Sequence, residues 1–388
     1  MPSSSPTPVS SLDGSPRNAA LDGLRGLMTI VVLLSHFFAE IDDGYPRLGL
    51  GWLAVDMFFI LSGFLIGRLI IERKDTGNFL SVFVMRRICR TVPSYFISVL
   101  IIFLLLEFFG AQSWTQFERT FPLWSYLTFS QNMFMAFTGS VGVYWLAPTW
   151  TLALEEQLYV LLPLVFFLMA RRYWLLTLTV ITLAAVLLRA LIFASTVSPS
   201  WGLVLLPTRG DVLIAGVIAA VLFKDKGAQL SRYNLALRSV PVALLFATVL
   251  ITALDPSHYL FNVFGPFLVS AGFACLLLAI VTGAPEAKRF ESRFLRFFGH
   301  ISYCVYLTHL TVLALAHGLI LDSKPTLGSA AGWFVTLVAL VAATGVGWLL
   351  TTLIEAPLTA YGRSWKWSSH RPTPALNVEA QVPESAVR

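Results

Sequence analysis

"TFPLWSYLTFSQNMFMAFT", residues 120 to 138, is apolar enough to cross a membrane, and whether it does so decides the topology of the whole chain. Around it lie apolar runs of about 18 residues or more, the length that spans a bilayer as a helix. These runs predict helices at about 22–41, 50–71, 93–110, 148–169, 173–195, 208–223, 238–255, 259–283, 298–321 and 329–355. Basic clusters lie between them: "RKDTGNFLSVFVMRRICR" after the second, "ARRYW" after the fourth, "KDKGAQLSRYNLALR" after the sixth, "EAKRFESRFLR" after the eighth and "YGRSWKWSSHR" after the last. With ten spans every one of these clusters falls on the same side, and alternate loops such as "EIDDGYPRLG" are acidic or nearly neutral. An eleventh span at 120–138 would move four of the clusters to the other side. Residues 111–147 are therefore expected as an external loop, with an interfacial or re-entrant helix, and both chain ends as cytoplasmic. Its Trp114, Trp124, Tyr126, Tyr144 and Trp145 suit either a headgroup belt or a platform for stacking a sugar.

Composition sets the same class. Hydrophobic residues make up 56% of the chain and charged residues 12%, against about 25% charged for a soluble domain. The expected fold class is all-α, a polytopic membrane helix bundle of about ten transmembrane helices; continuous runs of this length are not the alternating segments of a membrane β-barrel. Polar, Ser/Pro-rich residues 1–20 and polar residues 363–388 are expected to be disordered cytoplasmic tails flanking a membrane domain over 21–362. No secretory signal peptide is visible at the start. The short final tail implies that the chemistry resides in the bundle.

The net charge of +6 follows membrane topology, because the Lys and Arg residues stand between apolar runs, and nucleic acid is not an expected partner. Cys89, Cys275 and Cys304 have neither metal-ligand nor redox spacing, the six histidines form no sequence cluster, and no metal is expected. No inverted repeat of the transporter kind is evident.

Ionisable residues inside the apolar runs are costly and mark function. In the first run Arg25 and His36 are 11 residues apart, which places them on one helix face about 16 Å apart along the axis. Asp56 lies early in the second run, Glu155 and Glu156 early in the fourth, Arg209 and Asp211 open the sixth, and Tyr303, Tyr306 and His309 lie in the ninth. In the ten-span topology His36, Asp56, Glu155 and Asp211 share the outer half, as members of one site would.

The segments carrying these residues resemble the acyltransferase 3 family of integral-membrane O-acyltransferases. "LDGLRGLMTIVVLLSH", with Arg, ten residues and His, is similar to the family's opening signature, and "VDMFFILSGFLIG", "FVMRRICRTVPSYF", "WTLALEEQLY" and "GHISYCVYLTHL" follow in order. The closing "LIEAPLTAYGR" resembles the Glu-x-Pro end of the family's last helix, so the likeness covers residues 20 to 363. The resemblance implies transfer of an acyl group, most often acetyl, from a coenzyme A thioester to a hydroxyl of a carbohydrate or other small molecule, with no permanently bound cofactor.

A sugar hydroxyl is a weak nucleophile near neutral pH, and His36 is the natural general base; a covalent acyl-histidine is left open. Glu155 matches the family carboxylate and would orient the imidazole, with Asp56 the second candidate and Glu156 turned elsewhere. Arg86, Arg87 and Arg90 suit the donor phosphates, Arg86 and Arg90 sharing a face as an i, i+4 pair, and Arg25 would guide the donor toward His36. Tyr306, His309, Arg209 and Asp211 are expected to line the cavity. With phosphates inside and His36 in the outer half, the pantetheine arm would reach through a channel, bordered where Ser62, Gly63 and Gly67 let helices approach. The other reading is a proton-coupled carrier for a sugar or lipid-linked substrate, with His36 and Glu155 as relay groups.

Overall fold

Asn18 caps the first helix: its Oδ1 accepts the backbone N–H groups of Ala20 at 3.0 Å and Leu21 at 3.4 Å, donors with no partner inside the helix. The computed structural model describes residues 18–368 except 47, 48, 111, 116–120, 196, 256 and 257, so nearly all of the expected tails lies outside the described residues. Helices α1 (Ala19–Phe38), α2 (Gly51–Arg73) and α3 (Phe79–Phe109) are followed by short α4 (Leu123–Leu127) and α5 (Gln131–Thr138). Then come α6 (Trp150–Leu168), α7 (Trp174–Phe193), short α8 (Ser200–Val204), α9 (Leu206–Leu230), α10 (Asn234–Leu254) and α11 (Tyr259–Val281). Helices α12 (Arg293–Leu321), α13 (Ala330–Leu350) and α14 (Ala356–Ser364) complete the bundle.

Among the described residues nine stretches are long and apolar enough to cross a membrane. One of them, Ser200–Leu254, is 55 residues long, far beyond the roughly 20 that a bilayer requires. A 3₁₀ turn at Ser231–Tyr233 divides it into α9 and α10, and α10 packs back along α11. The bundle thus holds ten helices of 19 residues or more among the described residues. Large apolar side chains such as Leu104, Leu187, Phe246 and Val341 stay exposed on its outside, as lipid-facing residues do.

The segment at 120–138 does not span. Its described part forms α4 and α5, of 5 and 8 residues, and Gly139 ends α5 in the left-handed region at φ 67°. Tyr95 donates to the Tyr126 carbonyl at 3.0 Å, Gln131 Nε2 to the Thr149 carbonyl at 2.8 Å, and Gln157 Nε2 to Asn132 Oδ1 at 3.0 Å, fastening the segment to α3 and α6. The expected use of its aromatics needs correction. Trp114, Tyr126 and Trp145 are buried in a core cluster with α3 and α12, and Trp124 alone of the five is exposed. Aromatic rings bury more apolar surface than other side chains and are drawn inward wherever the chain doubles back on itself.

Helix boundaries also differ from expectation, and two of them bear on the site. Helix α3 begins at Phe79 and α12 at Arg293, so both extend past the apolar run into the basic clusters. Arginine is a good helix former and can carry a helix beyond its apolar stretch.

Backbone-to-backbone packing sets the centre of the bundle. Helices α1 and α12 meet at Gly26 and Gly299, and α2 and α9 at Gly63 and Gly216. A Cβ placed on Gly216 would lie 2.0 Å from the Ile60 carbonyl oxygen, so any larger residue forces α2 and α9 apart. Gly216→Leu is expected to abolish a monodisperse peak in detergent or to lower the thermal midpoint by many degrees. A wild-type melting curve would show that the two helices are not held at this spacing.

Candidate active site

Helices α1, α2, α3, α6, α12 and α14 enclose a cavity of about 820 Å³, within the range of small-molecule sites. Seven arginines line it: Arg25 on α1, Arg68 on α2, Arg87 and Arg90 on α3, Arg293 and Arg296 on α12, and Arg363 on α14. Among the described residues three carboxylates face them there, Asp22, Glu155 and Glu355. Arg68 Nε is paired with Glu72 at 2.7 Å, and Arg87 lies over the Tyr159 ring at 5.0 Å. Such a concentration of guanidinium groups attracts polyanions and matches phosphate geometry.

Two devices in the chain shape this cavity. The helical extensions of α3 and α12 bring Arg87, Arg90, Arg293 and Arg296 from the basic clusters to its wall. At the end of α13 a π-helical turn, Thr351–Glu355, precedes Pro357 in the first turn of α14. Proline lacks the N–H that would continue the ladder, and the wider turn sets Glu355 into the cavity wall, where its Oε2 accepts from Thr351 Oγ1 and Cys304 Sγ, both at 3.3 Å.

The rings of Phe58 and Tyr306, 6.5 Å apart, border the cavity. The Tyr306 hydroxyl is held by the Pro148 carbonyl at 3.1 Å and by Thr151 Oγ1 at 3.0 Å. Past these rings lies a small apolar void bordered by Thr29, Val32, Leu33, Val305 and His309. His36 stands on that far side. Its Nδ1 is 2.8 Å from His309 Nε2, and its Nε2 is 3.5 Å from Glu40 Oε2. His309 Nδ1 in turn lies 3.1 Å from the Val305 carbonyl oxygen and 2.9 Å from that of Tyr306. Glu40 is fixed by Ser35, whose hydroxyl donates to Oε1 at 2.6 Å and accepts from the Gly51 N–H at 3.1 Å. The His309 ring is buried, whereas the His36 side chain keeps 16% of its surface and Glu40 44%.

The structure redistributes the residues singled out in the sequence. Arg25, Arg87, Arg90, Glu155 and Tyr306 reach the cavity. Arg86 does not; it donates to the Trp365 carbonyl at 2.7 Å and lies over the Trp367 ring, tying α3 to the segment after α14. The face turned to the cavity is the i, i+3 pair Arg87 and Arg90, because α14 covers the Arg86 side. Glu155 does not orient His36: its Oε2 accepts from the Tyr159 hydroxyl at 2.9 Å, which also bonds Ser62 at 2.5 Å, and it interacts electrostatically with Arg90 and Arg25. Glu156 accepts from Thr91 at 2.8 Å.

Asp56 is not a partner of His36 either, since it is ion-paired with Arg209 between α2 and α9. Asp211 makes a two-pronged pair with Arg189 of α7, at 2.8 and 3.0 Å. Arg189 also donates to the carbonyls of Val263 and Thr208, joining α7, α9 and α11. Arg209 and Asp211 therefore hold helices together and do not line the cavity, and His309 borders only the small void. A buried charge needs a partner, and each of these carboxylates found the nearest guanidinium.

Sequence reading passed over Arg68, Arg293, Arg296 and Arg363 at the cavity, Arg189 in the bundle and Glu40 beside His36. Glu40 did carry a signal, its i+4 spacing from His36 in "HFFAE". Among the described residues no three His, Cys, Asp or Glu side chains converge as metal ligands would.

Fold and site together define an integral, multi-pass membrane protein with a deep arginine-lined cavity inside its bundle. The family model described as Acyltransferase domain matches residues 18–352, and the chain belongs to this acyltransferase 3 family. Among curated proteins it is similar to the O-acetyltransferase OatA of Staphylococcus aureus strain NCTC 8325, at 25% identity over 317 residues, covering 76% of this chain and 51% of the relative. OatA of strain COL matches with the same identity and coverage. The chain spans about half the length of these relatives. No solved structure matches the chain.

Proposed function

We propose that this chain is a membrane O-acyltransferase that moves an acyl group, acetyl by the names of its relatives, from coenzyme A to a hydroxyl of a carbohydrate or glycosylated small molecule. The observation that carries this reading is the seven-arginine cavity leading toward His36. The donor's phosphates rest among Arg87, Arg90 and their neighbours, and the pantetheine arm runs past Arg25 toward Phe58 and Tyr306. The basic clusters favour a cytoplasmic position for this end, with both chain termini there, in a bacterial inner membrane. The acceptor then arrives from the side where His36 and Glu40 are exposed.

At that point His36 Nε2 takes the hydroxyl proton while the oxygen attacks the thioester carbonyl carbon. The carbon–sulfur bond breaks, and the thiolate leaves with the proton returned from the imidazolium, giving ester and free thiol. Glu40, 3.5 Å from Nε2, stabilises the imidazolium between the two transfers.

The test is transfer of labelled acetyl from acetyl-CoA by the purified protein, with a cell-envelope glycan extract as acceptor. Free thiol and labelled glycan should appear together. Arg87→Gln and Arg90→Gln should each raise the donor KM about tenfold or more, since a hydrogen bond to a charged group contributes about 1.5–3 kcal/mol. Acceptor binding or uptake without donor consumption would replace this reading by the carrier.

A further inference from the structure

The two nitrogens of His309 face different chemistry. Nδ1 lies within 3.1 Å of two backbone carbonyl oxygens, those of Val305 and Tyr306, and only an N–H satisfies carbonyl oxygens. A neutral His309 thus carries its proton on Nδ1 and presents a bare lone pair at Nε2. That lone pair is 2.8 Å from His36 Nδ1, which must then be the donor. The proton of neutral His36 is consequently on Nδ1, and its Nε2 lone pair is directed at the exposed edge beside Glu40.

The geometry points to His309 as the positioning residue of the proposed general base: backbone carbonyls of α12 fix its tautomer, and it imposes the complementary tautomer on His36. A neutral imidazole here fills the place an orienting carboxylate takes in other triads, and it does so without a buried charge in the membrane. Two lone pairs, on His36 Nε2 and Glu40 Oε2, then face each other 3.5 Å apart with no proton between them. An acceptor hydroxyl supplies the missing hydrogen. The resting site therefore selects a ligand that donates a hydrogen bond at this point, and the same arrangement becomes an ion pair once the proton moves.

This inference rests on the proposed function for its catalytic meaning, but the tautomer is decided separately. Protein labelled with ¹⁵N-histidine in nanodiscs would be compared by magic-angle-spinning NMR with His36→Ala, to assign His36, and with His309→Phe and His309→Gln. Wild-type His36 should show a protonated Nδ1 and a bare Nε2, and His309→Phe should give a mixture of tautomers. Turnover in His309→Phe should fall about 100-fold, the lower range for a general base, with donor KM within about twofold. His309→Gln, which offers an acceptor oxygen to His36 Nδ1, should recover about tenfold of that loss. A wild-type His36 protonated on Nε2 would overturn the inference even if His309→Phe fails to fold. So would His309→Phe with unchanged tautomer and turnover. Absence of acetyl transfer by every form would remove the function and leave the NMR result to decide the positioning.

Discussion

His36→Ala is expected to lower the turnover number for acetyl transfer by about 10²–10⁴-fold, the usual contribution of a general base, with protein yield and melting unchanged. The donor KM should barely move. The groups proposed to hold phosphate stand in the arginine cavity on the other side of Phe58 and Tyr306, so losing the imidazole leaves donor binding intact. The same preparation should still protect its arginines from a guanidinium-modifying reagent when acetyl-CoA is present. A variant retaining more than about a tenth of wild-type turnover would assign the base elsewhere.

A second large effect lies far from that chemistry. Asp211→Ala leaves the Arg189 guanidinium fully buried with only the Val263 and Thr208 carbonyls for partners. Removing one member of a buried pair typically costs about 3–5 kcal/mol, because the remaining charge loses its compensation. Thermal melting in detergent should show a steep drop or no folded protein, with Asp211→Asn falling between the two because its amide oxygen still accepts. Folded molecules that do survive should retain the wild-type donor KM. An unchanged melting point would mean that the three helices are held without this pair.

The bundle was legible in the sequence because span length and basic-loop bias are both one-dimensional signals. Helix number and the non-spanning loop needed nothing more than these. The site was legible only in part. Positive-inside bias reads "MRRICR" and "SRFLR" as loop, yet both are helix, and their arginines turn inward because the helices continue past the apolar run. Partner choice was the other gap. Glu155 and Asp56 lay at plausible depths for orienting His36, and sequence cannot tell which helix faces which. Close approach of α1 to α12 through Gly26 and Gly299 brings His309, expected only to line the cavity, against His36 instead. Arg189 escaped notice because a lone arginine near the end of an apolar helix looks like one that reaches out to the headgroups.

The thin wall formed by Phe58 and Tyr306 has an electrical meaning. The arginine-lined cavity lies on one side of these rings and His36, beside the exposed Glu40, on the other, so in a membrane a voltage would act across them. Moving one unit charge through that drop involves about 2.3 kcal/mol per 100 mV. In the proposed transfer the acetyl group, being neutral, would cross without electrical work, whereas a phosphate or a stray proton would not. In the proposed reaction the wall would sort by charge, admitting the thioester's acyl carbon to His36 and insulating the membrane against the ions on either side.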